Sequence, residues 1–265
     1  NQEYAAKYSA APRMEFITIP NAEGTPMNAY VIKPADFSSE KKYPVMLYQY
    51  NGPESQEVKN RWSMGGLYYI ASQGYIVVCA DGRGTGYRGR AWSDVVYKNL
   101  GHYETADQIA AGKWAASQSW ADSSRIACFG WSYGGYMTLM ELTAPGTPFK
   151  AGVSMAPVTD WRFYDSIYTE RYMLTPQQNN EGYDSASALL RTQNLKVPLL
   201  IMSGSADDNV HIYNTYKYTS KLTSEGTLCD MMVWTGFDHS LRPCNARTML
   251  YSKVVDFLDT RLSSK

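Results

Sequence analysis

Short apolar runs alternate with longer segments of mixed polarity along most of the chain. Two of these runs, 14–20 and 27–33, flank the turn sequence NAEGTP and predict a hairpin of two antiparallel strands. Further apolar runs, each closed by turn residues, lie at 43–50, 75–81, 125–131, 151–157, 198–204 and 229–235. The segments between most of them have the length of helices, most clearly at 103–120, 133–144, 212–225 and 244–262.

This order of elements predicts a mostly parallel sheet. Strands that are apolar on both faces and alternate with helices are typical of a parallel sheet covered on both sides. The hairpin adds an antiparallel edge, so we expect an α/β fold with about eight strands. No repeat, low-complexity tract or linker divides the chain, which indicates one domain over 14–265 after a tail at 1–13. We expect 158–197 to add one or two helices over the carboxyl edge of the sheet.

The composition narrows the classes of partner. Twenty-five Lys and Arg residues balance twenty-five Asp and Glu residues, which argues against an electrostatic nucleic-acid or membrane partner. The apolar runs are far shorter than the roughly 20 residues of a membrane-spanning helix. Cys79, Cys128, Cys229 and Cys244 show no CxxC spacing, so we predict neither a metal nor another cofactor. Cys229 and Cys244 bracket a predicted strand, and we therefore expect free thiols.

The sequence FGWSYGGYMT, at 129–138, contains the pattern G-x-S-x-G. The pattern alone is a weak signal, but a predicted strand runs directly into Ser132 and a predicted helix follows it. Such a strand–turn–helix setting holds a serine on a strained backbone, so that its Oγ projects above the sheet. Gly130 and Gly134 avoid side chains that would collide with the neighbouring strand and helix. Ser132 is therefore predicted to be a nucleophile.

A serine nucleophile needs a base, and the chain has three histidines. On a turn of this kind the acid and then the histidine follow the serine along the chain, which disfavours His102. His211 opens a predicted helix, where we expect a capping or surface role. His239 lies in TGFDHSLRP, just beyond the last predicted strand. It is predicted to be the base.

The acid that orients the base is expected at the end of the preceding strand. The sequence PLLIMSGSADDNV offers Asp207 and Asp208 there. Adjacent side chains generally point apart, so only one can reach the imidazole, and the other is expected to cap the following helix. The residues alone leave this choice open. In such a triad His239 takes the proton of Ser132 and passes it to the leaving amine, while the aspartate stabilises the imidazolium.

Acyl transfer also needs donors for the negative charge that develops on the substrate oxygen, each contributing roughly 10²–10³ in rate. The backbone N–H of Tyr133, directly after the nucleophile, is expected to be one of them. The second should come from the loop after the third strand, QYNGPESQEV, which lacks a glycine run. Tyr50 in this loop offers a phenol that donates directly. The alternative is that Tyr50 simply finishes the strand.

Five motifs of the chain resemble one peptidase family. They are QYNGP (49–53), DGRGTGYRG (81–89), GWSYGGYMT (130–138), APVTDWRFYDSIYTERYM (156–173) and ADDNVH (206–211). Together they resemble the catalytic domain of the dipeptidyl peptidase IV branch of the prolyl oligopeptidase family, and the similarity covers nearly the whole chain. The resemblance implies an α/β-hydrolase fold. It also implies a serine exopeptidase that cleaves after proline, or less efficiently alanine, and releases N-terminal dipeptides.

The functional residues of the family can be carried over to the matching positions. Ser132, Asp207 and His239 resemble its catalytic triad, which favours Asp207 over its neighbour. Tyr50 and the amide of Tyr133 resemble its oxyanion hole. The positions that resemble its proline pocket, with one amide that binds a substrate carbonyl, are Tyr133, Val158, Trp161, Tyr164, Tyr168, Asn209 and Val210. Proline is flat, apolar and without an amide hydrogen in a peptide bond, so an aromatic pocket suits it.

The resemblance also implies partners beyond peptide substrates with proline near the amino terminus. Relatives carry a β-propeller ahead of the hydrolase domain, and its acidic pair binds the free amino terminus of the substrate. The chain starts where such a propeller would end, so the isolated domain is expected to be weakly active or inactive. Relatives form homodimers through their last helices and the strand near Trp234, to which 244–262 would contribute. Bacterial members of the family are commonly periplasmic.

Three other activities are weighed against this one. A prolyl tripeptidyl peptidase would have much the same catalytic half, because the chain itself carries no acidic pair that sets the register. An acylaminoacyl peptidase or carboxylesterase would share the triad, but the tyrosine-rich motif at 156–173 belongs to the proline-cleaving branch. A non-catalytic binding protein of this fold would have lost the serine, whereas Ser132 is present.

Overall fold

The computed structural model describes residues 2–61, 65–242 and 245–263. The strands in these residues form one eight-stranded sheet in the order β1-β2-β4-β3-β5-β6-β7-β8. They are β1 (Arg13–Pro20), β2 (Pro26–Lys33), β3 (Tyr43–Gln49), β4 (Ile76–Asp81), β5 (Ala121–Trp131), β6 (Ala151–Met155), β7 (Leu199–Gly204) and β8 (Asp230–Trp234). Each of them overlaps one of the predicted apolar runs.

The sheet is parallel except at its amino-terminal edge. β1 pairs antiparallel with β2, from Arg13 opposite Lys33 to Pro20 opposite Pro26. β2 is also antiparallel to β4, its other neighbour. The remaining neighbours, from β4 through β3 and β5 to β8, pair in parallel. The prediction of a mostly parallel eight-stranded sheet with an antiparallel hairpin is therefore confirmed.

Helices of the described residues pack on both faces of this sheet. The α-helices are α1 (Gln2–Lys7), α2 (Gly66–Ser72), α3 (Arg90–Ser93), α4 (His102–Ser117), α5 (Tyr133–Leu142), α6 (Ser166–Met173), α7 (Asn180–Ser185), α8 (Tyr213–Ser224) and α9 (Ala246–Leu262). Short 3₁₀ helices occupy Asp94–Val96, Trp161–Phe163 and Ala188–Asn194. The four helices predicted with most clarity correspond to α4, α5, α8 and α9.

The sheet separates two apolar clusters. In β3, Leu47 belongs to the cluster that includes residues of α4, α5 and α8, whereas its neighbour Met46 belongs to the cluster with α2 and α9. Successive side chains of a strand point to opposite faces, so both faces of β3 are buried. This burial explains why the central strands read as continuous apolar runs rather than as an alternation.

The interval 158–197 holds more regular structure than expected. It contains α6 and α7 as well as two of the 3₁₀ helices, where one or two helices were predicted. Aspartates fix the starts of two of these elements, because Asp160 accepts a hydrogen bond from Arg162 N at 2.9 Å and Asp165 accepts one from Tyr168 N at 2.8 Å. The interval is therefore an ordered layer over the carboxyl ends of the strands.

The amino-terminal segment, the cysteines and the length of the helices were also subjects of prediction. The short helix α1 lies within the segment expected to be a tail at 1–13. Cys79 and Cys128 are buried, Cys229 is half-buried, and none of the three forms a disulfide within the described residues. The pairing considered for Cys244 falls on a residue outside those ranges. Among the helices described, none has the length and apolar character needed to cross a membrane.

Candidate active site

Ser132 lies on the turn between β5 and α5 with an unusual backbone conformation. Its φ is 62° and its ψ is −117°, outside the regions that non-glycine residues ordinarily adopt. Two hydrogen bonds hold this conformation: Ser132 N donates to Met155 O at 2.8 Å, and Ser132 O accepts from Tyr136 N at 3.0 Å. Such strain persists only where the surroundings impose it. The turn has the geometry expected of a serine presented as a nucleophile.

Three glycines allow the chain to pack closely around Ser132. A Cβ atom added at Gly130 would overlap the backbone of Gly134, and one added at Gly134 would overlap the carbonyl of Gln49 in β3. A Cβ atom at Gly135 would lie 2.5 Å from Met155 O. Each contact is with backbone, which cannot rotate away as a side chain can. The glycines flanking the serine therefore meet the steric requirement that the sequence predicted for them.

His239 and Asp207 form a hydrogen-bonded pair. His239 Nδ1 lies 2.7 Å from Asp207 Oδ2, and the side chain of Asp207 is fully buried. The other oxygen of Asp207, Oδ1, accepts hydrogen bonds from Asn209 N at 3.0 Å and Val210 N at 2.8 Å. These amides and the imidazole fix the carboxylate in place. Of the two adjacent aspartates, Asp207 is thus the one that contacts the histidine.

Asp208 does not have the role expected of the second aspartate. Its side chain is exposed. α8 begins only at Tyr213, with Ile212 at the cap position and no side-chain hydrogen bond there. The prediction that Asp208 caps this helix is wrong, because a loop separates Asp208 from the helix.

Three loops are joined at the carboxyl edge of the sheet. Trp131 Nε1, at the end of β5, donates a hydrogen bond to His239 O at 3.1 Å. Ala206 N donates to Phe237 O at 3.0 Å, and Gly236 N donates to the Ser205 side chain at 2.7 Å. The loop that carries Asp207 and the loop that carries His239 are therefore bound to each other, and the second is bound to the residue that precedes Ser132.

Tyr50 lies beside the serine, directly after β3. Burial raises the pKa of Tyr50, and the charge of Glu57 adds to this, whereas a hydrogen bond with Ser132 opposes the shift. The ring of Tyr50 lies 6.0 Å from that of Tyr133. Tyr133 is the first residue of α5, where backbone N–H groups lack an acceptor within the helix. One phenol and one amide donor thus flank the nucleophile.

A continuous group of aromatic rings, which we call the aromatic wall, adjoins Tyr133. The Trp161 ring lies 5.4 Å from the Tyr133 ring, 6.0 Å from Tyr164 and 5.9 Å from Tyr168, on which it stacks. The rings of Tyr164 and Tyr168 are 5.4 Å apart. Trp161 is buried, whereas Tyr164 and Tyr168 are half-buried. The wall is therefore partly accessible through the rings of Tyr164 and Tyr168.

The other predicted pocket positions adjoin the aromatic wall. Val158 and Val210 are both 2% exposed and belong to the same apolar cluster as Tyr133 and Trp161. Asn209 is exposed, and its Oδ1 accepts a hydrogen bond from the hydroxyl of Tyr164 at 2.6 Å. That bond leaves the amide nitrogen of Asn209 as its remaining polar group. The predicted pocket residues thus belong to or pack against one apolar cluster that includes Tyr133, and Asn209 contacts it through Tyr164.

The two other histidines lie apart from this arrangement. His102 begins α4, is exposed and has its ring beside that of Tyr103, at 4.8 Å. His211 is exposed, and its Nδ1 accepts a hydrogen bond from Tyr213 N at 3.2 Å, next to the start of α8. The latter is the surface and end-of-helix position expected for it.

Sequence reasoning missed two residues that contact this site. Trp131 was treated only as the variable residue before the serine. Glu104, in the first turn of α4, is fully buried and accepts a hydrogen bond from the hydroxyl of Tyr133 at 2.7 Å. Burial raises the pKa of Glu104 to about 7, against the opposing effect of nearby amides and this hydroxyl. The spacing along the chain could have indicated this burial, because Glu104 lies on the same face of α4 as the buried Ala111 and Ala115.

Known proteins resemble this chain over nearly its whole length. A probable dipeptidyl-aminopeptidase B of Phaeosphaeria nodorum is 45% identical over 251 residues, covering 93% of this chain and 27% of the relative. One of Coccidioides posadasii is 46% identical over 260 residues, covering 97% and 28%. The crystal structure of Porphyromonas gingivalis dipeptidyl peptidase 4 matches with a TM-score of 0.92 and 45% identity, covering 95% of this chain and 36% of that one.

A second structure, of a putative dipeptidyl aminopeptidase IV from Bacteroides ovatus, matches with a TM-score of 0.90 and 34% identity. The chain spans only 27% and 28% of the two fungal relatives. The resemblance to proteins of the dipeptidyl peptidase IV type, and with it the α/β-hydrolase fold, is confirmed. The model of the prolyl oligopeptidase family matches residues 61–265, more than half of the chain. The chain therefore belongs to the prolyl oligopeptidase family.

Proposed function

We propose that this chain is the catalytic domain of a serine exopeptidase that releases N-terminal dipeptides by cleaving after proline or alanine. The observation that carries the proposal is the Asp207–His239 hydrogen bond, 2.7 Å long, in a loop bound through Trp131 to the strained serine turn. The names of the relatives, dipeptidyl-aminopeptidase and dipeptidyl peptidase, support the same activity.

The proposed reaction proceeds through an acyl-enzyme. His239 removes the proton of Ser132 as the oxygen attacks the scissile carbonyl carbon, and the same proton then passes to the leaving amine. Asp207 holds the imidazole through Nδ1 and stabilises its charged form. Water then attacks the ester by the reverse path, with His239 again as the base. No metal or cofactor takes part in this scheme.

The donors beside Ser132 stabilise the tetrahedral intermediate in this proposal. The phenol of Tyr50 and the N–H of Tyr133 donate to the oxygen that becomes negatively charged. Burial keeps the Tyr50 phenol protonated, because it raises the pKa of this group, and a protonated phenol is the form that donates. Donors fixed in advance stabilise the developing charge without reorganising during the reaction.

The aromatic wall accounts for the proposed preference. A proline side chain at the cleaved position presents a flat apolar ring, which the rings of Trp161 and Tyr168 and the side chains of Val158 and Val210 would enclose. The free amide nitrogen of Asn209 would donate to a substrate carbonyl, and Tyr164 fixes its orientation. One polar contact in an otherwise apolar pocket is typical of sites that select a small ligand.

The whole protein would supply what this chain does not contain. We propose that an N-terminal β-propeller, in keeping with relatives several times longer than this chain, binds the amino terminus of the substrate. We also propose a homodimer that uses the region of α9. An isolated chain would accordingly be weakly active or inactive, and the experiment below requires the full-length protein.

A panel of chromogenic amides tests the proposal. With the full-length protein we expect kcat/KM to be highest for a Gly-Pro amide, lower for Ala-Ala-Pro and lowest for N-acetyl-Ala. The Ser132→Ala variant should lose on the order of 10⁶ in kcat, because the nucleophile is gone. It should also escape labelling by a fluorophosphonate that labels the wild type.

Each of the other outcomes would contradict one part of the proposal. Preference for Ala-Ala-Pro would replace the dipeptidyl register with a tripeptidyl one. Preference for the acetylated substrate would indicate an acylaminoacyl peptidase or a carboxylesterase. Equal labelling of the wild type and Ser132→Ala would remove Ser132 as the nucleophile.

A further inference from the structure

Glu104 is a buried carboxyl group that the proposed mechanism does not use. It lies in the first turn of α4, is 0% exposed, and its Oε1 accepts the hydrogen bond of the Tyr133 hydroxyl at 2.7 Å. The other buried acid of this part of α4, Asp107, is paired with Arg83 at 2.7 Å. A buried carboxyl group is costly unless its surroundings bind it. The hydrogen bond from Tyr133 is therefore a contact on which the buried Glu104 depends.

Tyr133 connects three parts of the proposed site. Its amide is a proposed oxyanion donor, its ring lies 5.4 Å from Trp161 and 6.0 Å from Tyr50, and its hydroxyl reaches Glu104. The ring is 3% exposed, so its hydroxyl has no access to solvent as an alternative partner. Because the amide end of Tyr133 is fixed in a helix, a hydrogen bond at the tip of the ring fixes χ1 and with it the direction in which the ring lies.

The neighbouring polar groups are already engaged. The hydroxyl of Tyr136, the next tyrosine of α5, donates to Leu100 O at 3.2 Å. Asp107 also accepts hydrogen bonds from the backbone and Nε of Arg83, at 2.9 Å and 3.0 Å. If Glu104 lost its carboxyl group, the Tyr133 hydroxyl would be a buried donor without an acceptor. Because that state is costly, the ring would turn to find another acceptor.

We propose that Glu104 is a positioning residue that sets the orientation of the Tyr133 ring, and through it the selectivity of the aromatic wall for proline over alanine. This inference rests on the proposed peptidase function. A displaced ring changes the surface that a proline ring contacts far more than the surface that a methyl group contacts. The Pro/Ala selectivity, defined as the ratio of kcat/KM for Gly-Pro and Gly-Ala amides, is therefore the quantity that Glu104 controls.

A double-mutant cycle in the full-length protein tests this proposal. Glu104→Leu removes the acceptor and should lower the Pro/Ala selectivity about tenfold, since it leaves the Tyr133 hydroxyl unpaired. In the Tyr133→Phe background the ring has no hydroxyl to satisfy, and the same substitution should lower the selectivity less than about threefold. Equal losses in both backgrounds, or an unchanged ratio in both, would overturn the proposal.

Two further variants separate positioning from general damage. Glu104→Gln keeps an acceptor oxygen and should retain the wild-type selectivity; a loss as large as that of Glu104→Leu would count against the proposal. Glu141→Leu removes another fully buried carboxyl group, on α5, whose hydrogen-bond donor is Gln49. It should reduce stability while leaving the Pro/Ala selectivity unchanged. A change of selectivity in Glu141→Leu as large as that in Glu104→Leu would make the effect a general one and contradict the proposal.

If Glu104→Leu alone does not fold, the folding of the double variant still decides the test. Removing both partners of a buried hydrogen bond costs less than removing one, so Tyr133→Phe combined with Glu104→Leu should yield folded protein. Failure of that double variant to fold would overturn the coupling. If the wild-type protein hydrolysed neither amide, the proposed function would be refuted. Failure of the inference about Glu104 is seen only in the variants, so the two failures can be told apart.

Discussion

The serine turn and the aromatic wall adjoin each other but are held by different kinds of contact. Around Ser132 the contacts join backbone to backbone, as in the 2.8 Å hydrogen bond to Met155 O and the close approach of Gly134 to Gln49. Around Trp161 they join rings whose centroids are 5.1 to 6.0 Å apart. Backbone packed this closely admits no added atom, whereas rings can turn and repack. Reactivity and substrate preference should therefore respond to different substitutions.

Short of removing Ser132 itself, the largest effect should come from one methyl group added to the serine turn. Gly134→Ala places a Cβ atom against the carbonyl of Gln49, so either α5 or β3 must move. That movement displaces both Ser132 and the amide of Tyr133, and we expect kcat to fall on the order of 10³ for every substrate. Steady-state kinetics and the rate of fluorophosphonate labelling measure it.

The matched control for this substitution is Gly65→Ala. Gly65 precedes α2 with a φ of −100°, which alanine also adopts, and an added Cβ atom there meets no atom of the described residues within 4 Å. Both kcat and labelling should stay at the wild-type level. If Gly134→Ala also retained full activity, the serine turn would not be rigid and the contrast with the aromatic wall would be lost.

A smaller and more selective effect is expected from the aromatic wall. Tyr168→Ala removes the ring that stacks on Trp161 with an interplanar angle of 19°. The lost ring contact and apolar burial amount to about 2 kcal/mol, which corresponds to roughly a 30-fold loss of Pro/Ala selectivity. Labelling by a small fluorophosphonate should persist, since Ser132 is not moved. Tyr216→Ala, on the exposed side of α8, should change neither quantity.

A parallel loss would contradict this separation. If labelling of Tyr168→Ala slowed as much as its Pro/Ala selectivity fell, the wall would support the serine turn rather than act on the substrate. The ratio of the two losses is therefore more informative than either of them alone.

The sequence predicted the sheet, and the order of the same elements along the chain led to the proposed triad. Strands buried on both faces leave apolar runs, and the position of His239 after the last strand follows from the topology of a nucleophile turn. The choice between Asp207 and Asp208 could not be made from spacing. It depends on which carboxylate meets the amides of Asn209 and Val210, a local loop geometry.

Side-chain contacts between distant segments were harder to predict. Nothing in the residues around Trp131 indicates that its indole binds the carbonyl of His239, 108 positions later. An acid in a first helical turn is ordinarily exposed and stabilised by the helix dipole, so the position of Glu104 in α4 does not by itself predict its burial. In the structure Glu104 accepts the hydrogen bond of the Tyr133 hydroxyl and lies near the loop of Gly84, where an added Cβ atom would be 3.7 Å from Glu104 Cγ.

Two buried carboxyl groups, Glu104 beside the Tyr133 hydroxyl and Glu141 on α5, should both make stability depend on pH. Burial raises the pKa of Glu104 from 4.5 to about 7, so between these values the folded state keeps a proton that the unfolded state has released. Stability therefore falls as pH rises through this window, by about 3 kcal/mol in all.

Glu104→Gln removes this contribution with little effect on catalysis. The free energy of unfolding of this variant, relative to that of the wild type, should therefore rise up to pH 7 and then level off. Burial also raises the pKa of Glu141 well above its usual value, so the same difference for Glu141→Gln should likewise rise with pH. Urea unfolding between pH 5 and 8 measures both; a Glu104→Gln difference that does not vary with pH would show that this carboxyl group ionises normally.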